Sequence, residues 1–409
     1  MAGLPIVPRP RPCHRWIDVQ SALCVSIFHV LGIGALFFVP VRWKTCFLVA
    51  LGHTASGVAV TAGYHRLWGH RAYTACRPLR YALAFLATAA VQKDIIWWVR
   101  HHRAHHRYLD TPQDPYDASK GFFWSHIGWV LTVHDRPNWG SVDIRDVKSD
   151  PVARWQRRYF FPLALFWVVV AAPAIAHLGW NDWAGGLFYG GFLRCVITWH
   201  STFLTNSATH WMGDQPYSDS NTSRQLVSVA LVTLGEGYHN FHHEFPSDYR
   251  NGPRAHDLDF SKWVITLWER LGWATALHRT SAREIDASRD RQTRKRLGLP
   301  AKYPAPPLSI LSWEQYRATV RQGACLVAIA GVLYDVGDFM ASHPGGETLL
   351  RQAVGTDATA SFHGGVYRHS SHAHHLLQRM SVAVLLGDGE EKQTEEDSMV
   401  KPTSGMGIR

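Results

Sequence analysis

Two pairs of apolar stretches, each pair joined by five residues, limit the fold of this chain more than any other feature. About Ile17 to Val39 and about Thr45 to Gly63 are separated only by Pro40, Val41, Arg42, Trp43 and Lys44. Phe161 to Leu178 and about Ala184 to Leu204 are separated only by Gly179, Trp180, Asn181, Asp182 and Trp183. Runs of this length suit helices that cross a hydrocarbon layer of about 30 Å, and linkers this short leave only tight hairpins. Four crossings are therefore expected. The stretch 65–107 carries eight basic residues and the second linker carries none. The excess places 65–107 in the cytosol together with both termini, although Arg42 and Lys44 run against it. A fifth apolar run, Leu79 to Val91, is stopped by Lys93 and Asp94 and is expected to lie at the interface.

A mean hydropathy of −0.14 requires a sizeable part outside the membrane. Residues 1–15 are rich in Pro and Arg and are expected to be irregular. The membrane body is expected over 16–278, with spans at about 17–39, 45–63, 161–178 and 184–204. A charged stretch ending in Tyr303-Pro304-Ala305-Pro306-Pro307 makes 279–307 a linker. A small soluble domain over 308–387 and a disordered acidic tail over 388–409 complete the chain. The net charge of +10 suits an anionic lipid surface or a phosphate-bearing substrate. Nucleic acid is excluded as a partner, because the basic residues flank apolar segments and form no binding motif. Six Cys without a CxxC pair point to free thiols in a reducing compartment. Many of the 18 Trp sit beside the apolar runs, as belt residues do.

The 25 His are clustered. His65 and His70 form one group; His101, His102, His105 and His106 a second; His239, His242 and His243 a third. Asn206 and His210 form a smaller element. Residues three or four apart share a helix face, so His102 with His105 or His106, His239 with His242 or His243, and Asn206 with His210 can each aim at one point. Neutral imidazole is a good ligand for iron, zinc or copper. A lone His in an apolar setting is usually a satisfied core residue, but three dense clusters near the ends of expected spans point to metal.

The segments Thr61-Ala62-Gly63-Tyr64-His65-Arg66-Leu67-Trp68-Gly69-His70-Arg71, His102-Arg103-Ala104-His105-His106 and Gly235-Glu236-Gly237-Tyr238-His239-Asn240-Phe241-His242-His243-Glu244-Phe245-Pro246 resemble those of the integral-membrane fatty acyl desaturases. Among these, the acyl-CoA delta-9 (stearoyl-CoA) desaturases of the fungal type are the nearest likeness. The resemblance implies a membrane all-α fold of four transmembrane helices in two hairpins, with a cytosolic helical His-box domain. It implies two iron ions (Fe2+) held by His65, His70, His102, His105, His106, His210, His239, His242 and His243, with Asn206 reaching one ion through a water. His101 is not a ligand in that pattern, although its spacing would let it pair with His105. His126 and His200 are read as packing or hydrogen-bonding residues. Gln92, Trp98, Arg100, Trp199 and Thr202 would bind the substrate, a long-chain acyl-CoA such as palmitoyl- or stearoyl-CoA. Val49 and His53 would set chain length from the far end of the acyl tunnel. Dioxygen is the implied oxidant, and the endoplasmic reticulum membrane the implied location.

His343-Pro344-Gly345-Gly346-Glu347 resembles the haem loop of cytochrome b5, within an α+β domain. The likeness implies haem b with His343 as one axial ligand. His363, His369, His372, His374 and His375 lie near enough in sequence to supply the other. The family pattern, with His directly before Ser, selects His369. Two axial His leave no open site, so such a haem transfers electrons. With no Gly-rich dinucleotide fingerprint after a strand, NADH–cytochrome b5 reductase would be a separate partner. Two other functions compete with desaturation: hydroxylation on the same scaffold, and a membrane haem protein that only relays electrons, its His clusters holding structural zinc.

Overall fold

The structure, a computed structural model, describes residues 17–133, 142–300, 308–340, 343, 346–365, 369 and 371–386. The irregular N-terminus over 1–15, the Pro-rich end of the linker from 301 and the tail over 388–409 lie outside these. The chain falls into two compact units that part between residues 302 and 303.

Among the described residues three helices are long and apolar enough to cross a membrane: Val19–Phe37, Trp43–Gly69 and Pro151–Trp180. Their starts follow from local chemistry. Asp18 caps the first by accepting from Ser21 N–H, and Asp150 caps the third, whose first helical residue is Pro151. The fourth expected crossing is also helical over 183–206, but it is not among the three. Arg194 and the polar run Thr198, His200, Ser201, Thr202, Thr205 and Asn206 dilute its apolar character. The helix that carries the expected span of 45–63 runs on to Gly69.

The fifth apolar run is a helix with one face packed into the first unit. It folds as Arg77–Thr88, with Leu79, Leu83, Ala84 and Ala87 in the main core of the unit. Its last carbonyls would be orphaned there. Helix 183–206 supplies the missing donors: Arg194 Nη2 donates to Ala89 O at 2.9 Å and Trp199 Nε1 to Ala90 O at 2.8 Å. Helix Ile95–Tyr108, capped by Asp94, then carries the second His group through the same core.

The expected linker is largely helical as well. Ala282–Arg296 starts with a capping box between Ser281 and Glu284. Ile285, Ser288 and Gln292 form its buried stripe. Ile285 packs with Tyr217, Phe241 and Phe245, and Ser288 donates to Glu244 at 3.2 Å. The helix is thus part of the first unit and backs the third His group.

The second unit holds a four-stranded sheet in which Val332–Asp335 and Ser381–Leu385 are central. Leu326–Ile329 pairs antiparallel with Val332–Asp335, while Ser309–Leu311 pairs parallel with Ser381–Leu385. One apolar cluster on this sheet includes Val327, Ile329, Tyr334 and Leu377. Among the described residues Cys24, Cys46, Cys76, Cys195 and Cys325 are free thiols.

Candidate metal centres and acyl cavity

The structure gathers nine of the His singled out above into two adjoining groups. His65, His70, His102, His106 and His242 form one; His105, His210, His239 and His243 form the other. Within each group the potential ligand atoms lie within 4.8 Å of one another. In the first, Nε2 atoms face each other at 3.0 Å (His65–His242), 2.6 Å (His70–His102) and 2.9 Å (His106–His242). In the second, His239 Nε2 stands 3.0 Å from both His210 Nε2 and His243 Nε2. Two ligands bonded at right angles to one ion at about 2.1 Å lie about 3.0 Å apart, so these edges fit a shared metal. The groups touch where His106 stacks on His243, with ring centroids 4.3 Å apart.

Spacing alone did not explain His65 and His70, which are five residues apart and would diverge on an α-helix. Residues Ala59–Gly69 form a π-helix, and His70 N–H donates to His65 O at 3.0 Å, five residues back. The wider turn brings both imidazoles to one side. Such π-segments recur at functional sites.

Carboxylates fix which nitrogen faces inward. Asp114 accepts from His105 Nδ1 at 3.0 Å, and among the described residues buried His105 Nε2 has no hydrogen-bond partner, so that it can face the second group. Glu236 accepts from His65 Nδ1 at 2.8 Å and from Arg66 Nη2 at 2.8 Å. Burial alone would raise the Glu236 carboxyl, but His65 and Arg66 hold it at about 2. His210 Nδ1 meets Thr222 Oγ1 at 2.8 Å, and that hydroxyl donates to Asp110 at 2.6 Å. Outer partners of this kind set the tautomer and basicity of ligating His. Sequence reasoning did not assign Asp110, Asp114, Thr222 or Glu236. Burial, then crowding by neighbouring imidazoles, holds His70, His102, His106, His239, His242 and His243 well below the ordinary His range. This favours the neutral form that metal binding requires.

His101 stands apart from both groups, stacked on Trp97 at 3.7 Å with Nδ1 2.7 Å from Trp97 O. His126 and His200 belong to a hydrogen-bonded row: His29 Nε2 to His200 Nε2, and His200 Nδ1 to His126 Nε2, both at 2.9 Å.

A cavity opens against both groups. Its wall includes His65 and His102 from the first and His105 and His239 from the second, with Asn206 beside them. Trp98, stacked on His102 at 4.9 Å, and Thr202 also line it. Gln92 donates to Thr202 Oγ1 at 2.8 Å. Farther along, Gly57 and His53 form the wall. His53 faces helix 183–206 as well, with Nδ1 3.0 Å from Thr198 Oγ1. Val49, Arg100 and Trp199 are not in this wall. Trp199 packs in an aromatic cluster with Phe28 and Phe203.

In the second unit, His343 and His369 face each other with ring centroids 6.5 Å apart and planes 28° from parallel. Two imidazoles trans on one iron at about 2.0 Å place their centroids about 6–6.5 Å apart, so the pair fits a haem. Each Nδ1 is tied to a backbone carbonyl, His343 to Gly346 at 3.1 Å and His369 to Phe362 at 2.9 Å. Phe362 also stacks on His369 at 4.2 Å. Burial holds His369 down at about 4. His363 is exposed and His374 packs edge-on to Phe362. The side chains of His372 and His375 lie outside the described residues.

Residues 39–264 match the family described as fatty acid desaturase, and residues 312–386 match the cytochrome b5-like heme/steroid binding domain. The chain belongs to the fatty acid desaturase family, with a cytochrome b5-like domain at its C-terminal end. It is 41% identical to a probable acyl-CoA desaturase of Schizosaccharomyces pombe, covering 92% of this chain and 79% of that protein. It is 40% identical to acyl-CoA desaturase 1 of Saccharomyces cerevisiae, over 85% and 69% respectively. The Delta(9)-fatty-acid desaturase fat-7 of Caenorhabditis elegans is 38% identical over 63% of this chain and 77% of its own length.

Proposed function

We propose that this protein converts saturated long-chain acyl-CoA, palmitoyl- or stearoyl-CoA, to the cis-delta-9 monoene at a di-iron centre. The observation that carries this is the cavity whose wall is shared by both His groups. Two adjacent CH2 groups of a chain lying there would face both. The first group would hold one iron through five His, and the second would hold the other through four, with Asn206 at its side. When bound, the irons supply the dioxygen activation that removal of hydrogen from unactivated C–H bonds requires. The protein's own residues position and shield. Asp114, Glu236 and Thr222 aim the ligands, and Trp98 and Thr202 shape the chain's path.

Electrons would pass through haem b, held by His343 and His369, from a separate NADH–cytochrome b5 reductase. We place the protein in the endoplasmic reticulum membrane with both termini cytosolic. Helix 183–206 would serve as the fourth crossing, its polar residues facing the cavity rather than lipid. The activities named for its relatives and the paired His groups support the reading.

The test is to incubate membranes containing the protein with stearoyl-CoA, NADH and dioxygen and to analyse the fatty acids. A C18 monoene with its double bond at carbon 9 is expected. A hydroxy acid would replace desaturation by hydroxylation, and an unchanged fatty acid would leave only electron relay. Purified protein with NADH but no reductase should give no product.

A further inference from the structure

One amphipathic helix has an apolar face that the protein does not cover. Phe260–Arg270 buries Ser261, Lys262 and Ile265 against the first unit. Its other side exposes Phe260, Trp263 and Leu267, and the strip continues through Leu271 and Trp273, each between 40% and 52% exposed. The spacing of three, four and four residues keeps them in one row along a helix.

The depth of this helix follows from its anchors. Ser261 is hydrogen-bonded to Thr61 of the second span. Thr61 lies eighteen residues beyond Trp43, where that span begins. At about 1.5 Å per residue this is on the order of 27 Å, close to the thickness of the hydrocarbon layer. Trp273 O accepts from Cys76 N–H, at the point where helix Arg77–Thr88 turns into the core. Both anchors put the exposed row at the edge of the bilayer, on the side of the His groups.

Beside the row is a pocket whose wall includes Tyr249, Arg250, Arg254, Lys262, Trp263 and Arg270 and, among the described residues, no acidic side chain. Two of these cations are already engaged. Arg250 is held by Asp248 and Thr280 O, and Lys262 Nζ donates to the carbonyls of Gly252, Arg254 and Asp257. The guanidinium groups of Arg254 and Arg270 make no hydrogen bond or ion pair among the described residues, and both residues are exposed.

We propose that this pocket seats the phosphate of an anionic phospholipid headgroup, with the Phe260–Trp273 row resting in the acyl layer below it. The anchor on Thr61 puts the apolar row at the depth of the bilayer edge, which calls for lipid rather than a soluble partner. Two unpaired guanidinium groups over an apolar face are complementary to a headgroup phosphate. The inference does not depend on the reaction catalysed.

The test uses the full-length protein in nanodiscs of phosphatidylcholine, doped with either brominated phosphatidylserine or brominated phosphatidylcholine. The signal read is the part of the tryptophan fluorescence that Trp263→Phe removes. Brominated phosphatidylserine should quench it at a level on the order of tenfold lower than brominated phosphatidylcholine does. In the doubly substituted Arg254→Gln, Arg270→Gln protein the two lipids should quench alike. Equal quenching in the unmodified protein would overturn the preference for an anionic headgroup, and with it the proposal, without reliance on any variant. Absence of quenching by either lipid would overturn the bilayer contact and give the face to a protein partner or a second copy. Equally potent displacement by glycerophosphoserine would make it a site for soluble phosphates instead, which also overturns the proposal.

Discussion

His65 and His70 show where residue-level reading of the sequence stops. Helical spacing paired His102 with His105 and His106, and His239 with His242 and His243. It gave no reason for a pair five apart, because a π-turn leaves no mark in residue spacing. The carboxylates behind the ligands were equally hidden. Asp114 is nine residues from His105 and Glu236 is 171 from His65, so only folding brings them together. Asp114 is the sharpest test. Replacing it with Asn removes the charge that holds His105 in the tautomer with Nε2 inward. Asp114→Asn should weaken metal retention on the order of ten- to a hundredfold, read by elemental analysis of protein dialysed against a graded chelator. Haem content should not change. His53 offers a second test. Its ring forms part of the cavity wall away from the His groups, so His53→Ala should raise the ratio of C18 or longer monoenes to C16 monoenes. Val49 is not in that wall. Val49→Trp should shift products toward C16 or shorter, and an unchanged product profile would remove Val49 from the chain's path.

At the scale of elements, the hairpins were legible because long apolar runs and five-residue linkers leave few choices. How Leu79 to Val91 packs was not, since a short apolar run does not say what its C-terminal carbonyls meet. Their donors come from more than a hundred residues away. Arg194 therefore carries a structural load. Arg194→Leu would leave the carbonyls of Gly190 and Ala89 without these donors and should cost about 3 kcal/mol. A lower midpoint of thermal aggregation in detergent would report it, whereas an unchanged midpoint would show that other donors replace the guanidinium. The helix Ala282–Arg296 was legible in principle. Ser281 and Glu284 form the capping pattern, and Ile285, Ser288 and Gln292 follow helical spacing. Its density of charge masked this, because the stripe it buries is only one apolar residue with two small or neutral polar ones.

For the molecule as a whole, two units with separate cores mean that the candidate di-iron site and the candidate haem site can be lost separately. His106→Ala should abolish desaturation and leave the haem absorbance intact. His343→Ala should remove the haem band while the first unit keeps its metal. Loss of haem in the first variant would contradict independent folding. The division of the chain was visible in its change of composition near residue 300, and the haem loop in the run around His343. The pairing of His343 with His369 could be chosen from the sequence only by family likeness, because five His crowd that segment. Stacking by Phe362 and the carbonyls behind each ring distinguish it in space.

The second span has a consequence for how such a chain can diverge. One continuous helix carries His53 in the cavity wall and, twelve residues later, His65 in the metal group. A single inserted residue between them would turn one end against the other by about 100° and lengthen the gap by about 1.5 Å. Either the ligand or the cavity wall would then face the wrong way. Two whole turns would restore the direction but add on the order of 11 Å, far more than a change of one or two methylenes. A one-residue insertion would keep both ends in place only if absorbed as a further π-turn of the kind that already runs over Ala59–Gly69. Changing the bulk of side chains on a helix of fixed length makes no such demand.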